Sequence, residues 1–184
     1  RRPETAAAFG DRAQVSPADF LDWQRSSQVA DFVSLDWWDA TVTGRTAPER
    51  VQAFKVSPAF FSALDVVPVR GRGFTADEGQ AGRHQVAVLG HGFWERRYAA
   101  DPAIVGQSIL LDGLPYTVIG IAPRQFDYPY GSEVWTPAVF SPAATANRAE
   151  RYLSVIARLR DGRTLAELRA ELATVTARLA QTYP

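Results

Sequence analysis

The sequence predicts an α+β domain, and three stretches carry that prediction. Residues 151–160 alternate Leu153, Val155, Ala157 and Leu159 with mostly polar neighbours, the period-two pattern of a half-buried strand. After the Asp161-Gly162 turn, Leu165, Leu168, Leu172, Val175 and Leu179 recur at steps of three and four between Arg and Glu. That is the apolar stripe of an amphipathic helix over 164–182. Residues 108–111 and 116–121 flank Asp112-Gly113, a dipeptide suited to a two-residue hairpin turn.

The remaining elements follow in chain order. Residues 1–15 are charged and Ala-rich with little periodicity, and they read as a lead-in. Ser16-Pro17-Ala18-Asp19 is a helix start: Ser caps, Pro suits the first helical position, and Asp favours the positive end of the dipole. Phe20 and Trp23 then share one face. Residues 29–42 are aromatic and β-branched and read as a strand, 44–48 turns it, and 50–56 is its partner. Ser57-Pro58 opens a second helix carrying Phe60, Phe61 and Leu64. Four glycines make 65–82 loop-like. Residues 86–89 read as a buried strand and 93–98 as a helix ended by Asp101-Pro102. Residues 133–139 form a further short strand, and the small, polar run 141–149 is a candidate linker. Thr164-Leu165-Ala166-Glu167 is a capping box that starts the last helix.

Composition excludes several functions. With 184 residues, 46% of them hydrophobic, the chain can bury a core without disulfides or metal. Twenty Lys and Arg offset twenty Asp and Glu, a balance unsuited to nucleic acid or an anionic membrane surface, which need a basic excess. The absence of cysteine removes thiol catalysis, disulfides and Cys-type zinc sites. The absence of methionine, even at position 1, leads us to expect a piece of a longer polypeptide or a processed product. No apolar run approaches the ~20 residues of a membrane span. No charged-then-apolar leader opens the chain, so any targeting or anchoring is expected to lie elsewhere.

No motif assembles an active site. His84 and His91 have no third His or Cys to complete a metal centre, and they read as surface or loop-end histidines. Asp77 and Glu78 are adjacent in a glycine-rich loop, where a solvated turn is expected rather than an acid–base pair. Gly71-Arg72-Gly73-Phe74 lacks the third glycine of a dinucleotide fingerprint and the Gly-Lys-Ser/Thr of a phosphate loop, and Gly90-His91-Gly92 fails in the same way. No serine sits in a Gly-x-Ser-x-Gly elbow. The expectation is therefore no catalytic residue, no cofactor and no metal. Asp36-Trp37-Trp38-Asp39 is the most unusual tetrad, since paired aromatics beside carboxylates can stack on sugars or apolar drugs. On a strand, however, adjacent tryptophans point to opposite faces, so one belongs to the core and the other is exposed or interfacial.

From Ser16 onward a series of segments carries a resemblance. These are Val56-Ser57-Pro58-Ala59-Phe60-Phe61-Ser62-Ala63-Leu64, Gly71-Arg72-Gly73-Phe74, and Val86-Ala87-Val88-Leu89 with Phe93-Trp94. Asp101-Pro102-Ala103-Ile104-Val105-Gly106, Tyr116-Thr117-Val118-Ile119-Gly120-Ile121-Ala122-Pro123, Val134-Trp135-Thr136-Pro137 and Ala157-Arg158-Leu159-Arg160-Asp161-Gly162 continue it. In this order and spacing the chain resembles the MacB-like periplasmic core domain found in ABC transporter permeases. It departs from the family at Asp65, where Gly is frequent, and at Asp161, where Pro is frequent; both replacements suit a turn.

The resemblance implies a domain between the first and second membrane helices of a permease half, on the periplasmic side of an inner-membrane protein. It implies two lobes: a porter-like βαβ lobe from 16–64 and 150–184, and an inserted mixed α/β lobe from 65–149. It implies no ATP hydrolysis in this domain. The implied partners are the other permease half or subunit, the ABC ATPase through the membrane part, and a periplasmic adaptor protein or substrate, with no nucleic acid. The candidate interaction residues are Trp37, Trp38, Arg72 and Phe74. The competing reading is a small-ligand or glycan-binding module using Trp37 and Trp38; an undetected hydrolase ranks last. If membrane helices flank the domain, both of its ends must face one membrane, and the final helix acts as a strut.

Overall fold

The computed structural model describes residues 14–44 and 47–183. Most of the 1–15 lead-in and part of the 44–48 turn lie outside the described residues. In chain order the elements are α1 (Pro17–Ser26), β1 (Ala30–Thr43), β2 (Glu49–Val56), α2 (Phe60–Ala63), β3 (Arg70–Gly71), β4 (Val86–Leu89) and α3 (His91–Tyr98). There follow β5 (Ser108–Leu111), β6 (Leu114–Ile121), β7 (Val134–Pro137), α4 (Pro142–Ala146), β8 (Ser154–Leu159) and α5 (Leu165–Thr182). The class is mixed helix and strand, as expected, with all eight strands in a single mixed sheet.

The pairings run in a circuit. β1 pairs β2, β2 pairs β7, and the path continues through β4, β6 and β5 back to β1. β2–β7 and β4–β6 are parallel; β1–β2, β1–β5, β1–β8, β4–β7 and β5–β6 are antiparallel. β1 spans 14 residues, long enough for two neighbours in succession. Ala30 to Leu35 pair with β8, while Val42 and Thr43 pair with β5. β8, at the end of the strand order, and β3, which pairs only with β6, stand outside the circuit.

Three apolar clusters result. On one face of the circuit Val42, Val51, Leu89, Leu111 and Val118 pack with Phe93 and Trp94 of α3. On the other face Phe54, Phe60, Phe61 and the fully buried Trp135 pack together. At the chain ends Phe20 of α1, Phe32 of β1, Leu153 and Leu168 of α5 form the third.

Local signals place most element starts. Ser16 Oγ accepts the Asp19 amide at 3.1 Å, and Thr164 and Glu167 form the expected capping box. Asp112 and Gly113 take positive φ angles of 48° and 79°, the left-handed pair a two-residue hairpin requires. Gly71, at φ 66°, solves a different problem: β3 lies so close to β6 that a Cβ there would sit 2.0 Å from the Ile119 carbonyl oxygen.

Four expectations are corrected. Ser57 does not cap a helix. It is buried, its Oγ accepts the Ser34 amide at 2.8 Å, and its own amide donates to the Ser34 carbonyl, which fastens the end of β2 to β1. The helix beyond it shrinks to the single turn of α2. α3 ends at Tyr98, where Ala99 and Ala100 turn left-handed, and Asp101 caps the next short 3₁₀ turn instead. The 141–149 run is not a bare linker: Ser141 caps α4, whose first turn Pro142 begins. The leucine stripe of α5 is used only from its second member onward. Leu168 and Val175 are buried and Leu172 joins the terminal cluster, but Leu165 is exposed, because α1 and the start of β1 meet the helix only from Leu168 onward.

Candidate functional site

The tryptophans do separate across the strand. Trp37 is 58% exposed. Trp38 is half-buried; its Nε1 donates to Asp112 Oδ2 at 2.9 Å, its ring tilts against Tyr116, and the Lys55 ammonium lies 4.9 Å from its centroid. The two rings therefore do not make one stacking platform. Asp39 pairs with Arg50 at 2.6 Å. Burial pushes the Asp36 carboxyl up from its usual range, against the pull of Lys55.

Arg72 and Phe74 hold their own loop. Arg72 donates twice to Glu78, at 2.6 and 3.0 Å, while Glu78 also accepts the Thr75 amide. The Phe74 ring lies 5.5 Å from Phe61. Burial works against the Glu78 charge, but Arg72 and Thr75 outweigh it and hold the carboxyl below its usual 4.5. Such a carboxylate stabilises the fold above the ordinary carboxylate pKa and loses that contribution as the pH falls through the lowered value. Glu78→Gln is thus expected to cost about 2 kcal/mol at pH 7. The gap between wild type and variant should close below about pH 4.5; a gap in melting temperature unchanged between pH 7 and pH 3.5 would contradict this origin.

The other titratable candidates disperse. Asp77 pairs with Arg83, so the two adjacent carboxylates serve different arginines. His91 opens α3 with its ring edge-on to Trp94 and its Nδ1 3.5 Å from Glu95; His84 lies in the loop before β4. Among the described residues no group of three His, Asp or Glu is placed to hold a metal ion.

One polar junction lies where sequence reasoning saw only a linker. Arg148, between α4 and β8, donates to Asp19 Oδ1 at 2.5 Å and Asp22 Oδ2 at 2.6 Å. The two aspartates are three apart on α1 and so share a face. The guanidinium lies 4.0 Å from the centroid of the Tyr183 ring, just past α5, a cation–π contact. Its side chain is 24% exposed. Burial opposes its charge, but Asp22, Asp19 and Tyr183 outweigh that and raise its pKa above the ordinary arginine value. One residue thereby ties α1, the approach to β8 and the end of α5 together.

Further contacts fix α5 along its length. Glu171 accepts from Ser27 Oγ at 2.5 Å and from the Gln28 amide at 2.8 Å, and Arg178 donates to Ser26 Oγ at 3.2 Å. Val15 and Leu153 exchange both backbone hydrogen bonds, at 2.9 and 3.0 Å. A cavity of about 370 Å³ opens at this junction, and Gln14, Val15, Trp23, Leu179 and Tyr183 are among its lining residues. The first and last described segments of the chain therefore meet at one place.

Comparison with known proteins gives a consistent result. Residues 2–175 match the family model of the MacB-like periplasmic core domain. The chain is 30% identical over 164 residues to the probable export ATP-binding/permease protein MacB of Pseudomonas entomophila strain L48, covering 84% of this chain and 24% of that protein. It is 32% identical over 111 residues to the macrolide export ATP-binding/permease protein MacB of Burkholderia pseudomallei strain 1710b, covering 58% of this chain and 16% of the relative. It thus spans at most about a quarter of the length of these curated relatives. The periplasmic region of MacB from Actinobacillus actinomycetemcomitans shares its fold, with a TM-score of 0.71 at 14% identity over 92% of this chain and 76% of that one. So does the extracellular domain of the ABC-type transporter YknZ from Gram-positive bacteria, with a TM-score of 0.64 at 13% identity over 88% of this chain and 80% of the other.

Proposed function

The chain belongs to the MacB-like periplasmic core domain family, and on that premise we propose that it is a non-catalytic, extracytoplasmic part of an ABC transporter permease that passes conformational change between membrane helices and outside partners. The observation that carries this reading is the Arg148 junction. It fastens both described ends of the chain to one another and to α1, with α5 fixed along its length. A helix held in this way moves as a unit with whatever it joins.

The proposal extends to partners and lobes. The power source is the ATPase of the transporter, acting through the membrane part, and the outer contacts are the other permease half or a periplasmic adaptor. Of the four candidate residues, Trp37 has the most open face. Two lobes, 16–64 with 150–184 and 65–149, describe the moving units. The terminal cluster of Phe20, Phe32, Leu153 and Leu168 supports the first, and its strands β1 and β2, which pair with β5 and β7 of the second, are the seam. The glycan reading loses support because Trp38 is engaged by Asp112, Tyr116 and Lys55.

A flexible Gly-Ser insertion after Thr182 tests the coupling in the intact permease. Transport per ATP hydrolysed is expected to fall at least fivefold while the melting temperature of the domain stays within about 2 °C. Unchanged transport after the insertion overturns the strut.

A further inference from the structure

The cavity at the chain ends has the make-up of a ligand site. Its volume of about 370 Å³ lies within the range of small-molecule sites. Val15, Trp23, Leu179 and Ala180 give it apolar walls, drawn from the segment before α1, from α1 itself and from α5. Its charged lining residues are Asp19, Arg148 and Arg151. Arg148 is already paired, with Asp19 and Asp22, and it lies over the Tyr183 ring. Arg151 is exposed and has no hydrogen-bond or ion-pair partner among the described residues. The groove therefore joins apolar walls to one unmatched positive charge.

Two further observations set it apart. Trp23 Nε1 is buried and meets no acceptor among the described residues. An enclosed N–H in that state forfeits a hydrogen bond that a bound acceptor restores. A larger cavity, of about 510 Å³ beside the end of α3, offers no free cation: the buried Arg97 donates to Glu49 and to the Val42 and Ala47 carbonyls.

We propose that this groove binds a fatty carboxylate, with its head on Arg151 and its apolar chain between Trp23 and Leu179. A guanidinium fork meets both oxygens of a carboxylate. The charge balance selects a monoanion. One cation is free, and a phosphate monoester, with roughly two negative charges at pH 7, would leave one of them unmatched beside Asp19 and Asp22. The head alone does not hold the molecule, because an exposed ion pair contributes little. The apolar walls supply the rest, as the chain displaces water from them. The bound molecule bridges α1 and the end of α5, two of the elements that Arg148 ties together, so occupancy steadies that joint. This inference goes beyond the permease reading and does not depend on it.

Decanoate, titrated into the chain below its micelle-forming concentration and followed by calorimetry, tests the site. It is expected to bind at least tenfold more tightly than decan-1-ol or decylammonium, and acetate is expected not to bind. Arg151→Gln should weaken decanoate at least tenfold and remove its advantage over decan-1-ol. Arg169→Gln, which removes another exposed cation from α5, should change it less than twofold. Ala180→Glu places a carboxylate on an exposed position of the wall, and it should also weaken decanoate at least tenfold. Equal affinities for the three decyl probes, no binding of decanoate, or binding indifferent to Arg151→Gln overturns the proposal. Absence of decanoate binding leaves the strut standing, and transport unchanged by the Thr182 insertion leaves the site standing.

Discussion

Alanine at Gly71 is expected to destabilise the domain by about 3–4 kcal/mol, near the upper end of single-residue effects. The added Cβ would stand 2.0 Å from the Ile119 carbonyl oxygen and 2.9 Å from its carbon, backbone atoms that no rotamer change can move. The positive φ of 66° adds its own strain for a residue with a Cβ. Gly120, across the ladder, meets the Arg72 carbonyl in the same way, at 2.3 Å. Either change must push β3 off β6. That breaks the bonds from Val69 to Ile121 and from Arg72 to Ile119, and it misplaces the arginine that holds Glu78. Denaturant unfolding measures the loss. A cost below about 1 kcal/mol for Gly71→Ala would mean that the two strands approach less closely than described.

Arg148→Ala is expected to cost about 2–4 kcal/mol, somewhat less than a fully buried pair because the side chain retains some exposure. Most of that cost arises from Asp19 and Asp22, left close together on α1 with no counter-ion. The melting temperature should fall by roughly 5–12 °C. Arg148→Lys should recover only part, since an ammonium cannot reach both carboxylates with a planar fork. The triple variant Arg148→Met, Asp19→Asn, Asp22→Asn separates two roles. Its melting temperature should return to within about 3 °C of wild type, because no unpaired charge remains. Transport coupling in the intact permease should not return, because Tyr183 has lost the cation that fixed the end of α5. Restored coupling in that variant would show that the junction serves stability alone.

What the sequence made legible was what is local. α5 was readable because its cap, turn and stripe all lie within twenty-odd consecutive residues, and the hairpin because Asp112-Gly113 is its own instruction. The Ser-Pro signal shows the limit. At Ser16 and Ser141 it caps a helix, but at Ser57 the same dipeptide precedes an apolar run and does something else, since Ser34 on β1 takes the hydroxyl first. Alternation correctly separated Trp37 from Trp38. Which of them is exposed depends on Asp112, 74 positions further along the chain. Arg148 was unreadable for a stronger reason: its partners lie 129 and 126 positions away, and nothing in a run of small polar residues marks one arginine as the meeting point of three elements.

The meeting of Val15 and Tyr183 at one cavity also bears on how such a domain is acquired and exchanged. A module whose two ends emerge side by side can be spliced into a turn between neighbouring segments without altering their spacing, and removed again with equally little disturbance. Exchanging the segment between such neighbouring points among members of the family should therefore leave what flanks it undisturbed, and its exposed surfaces free to diverge.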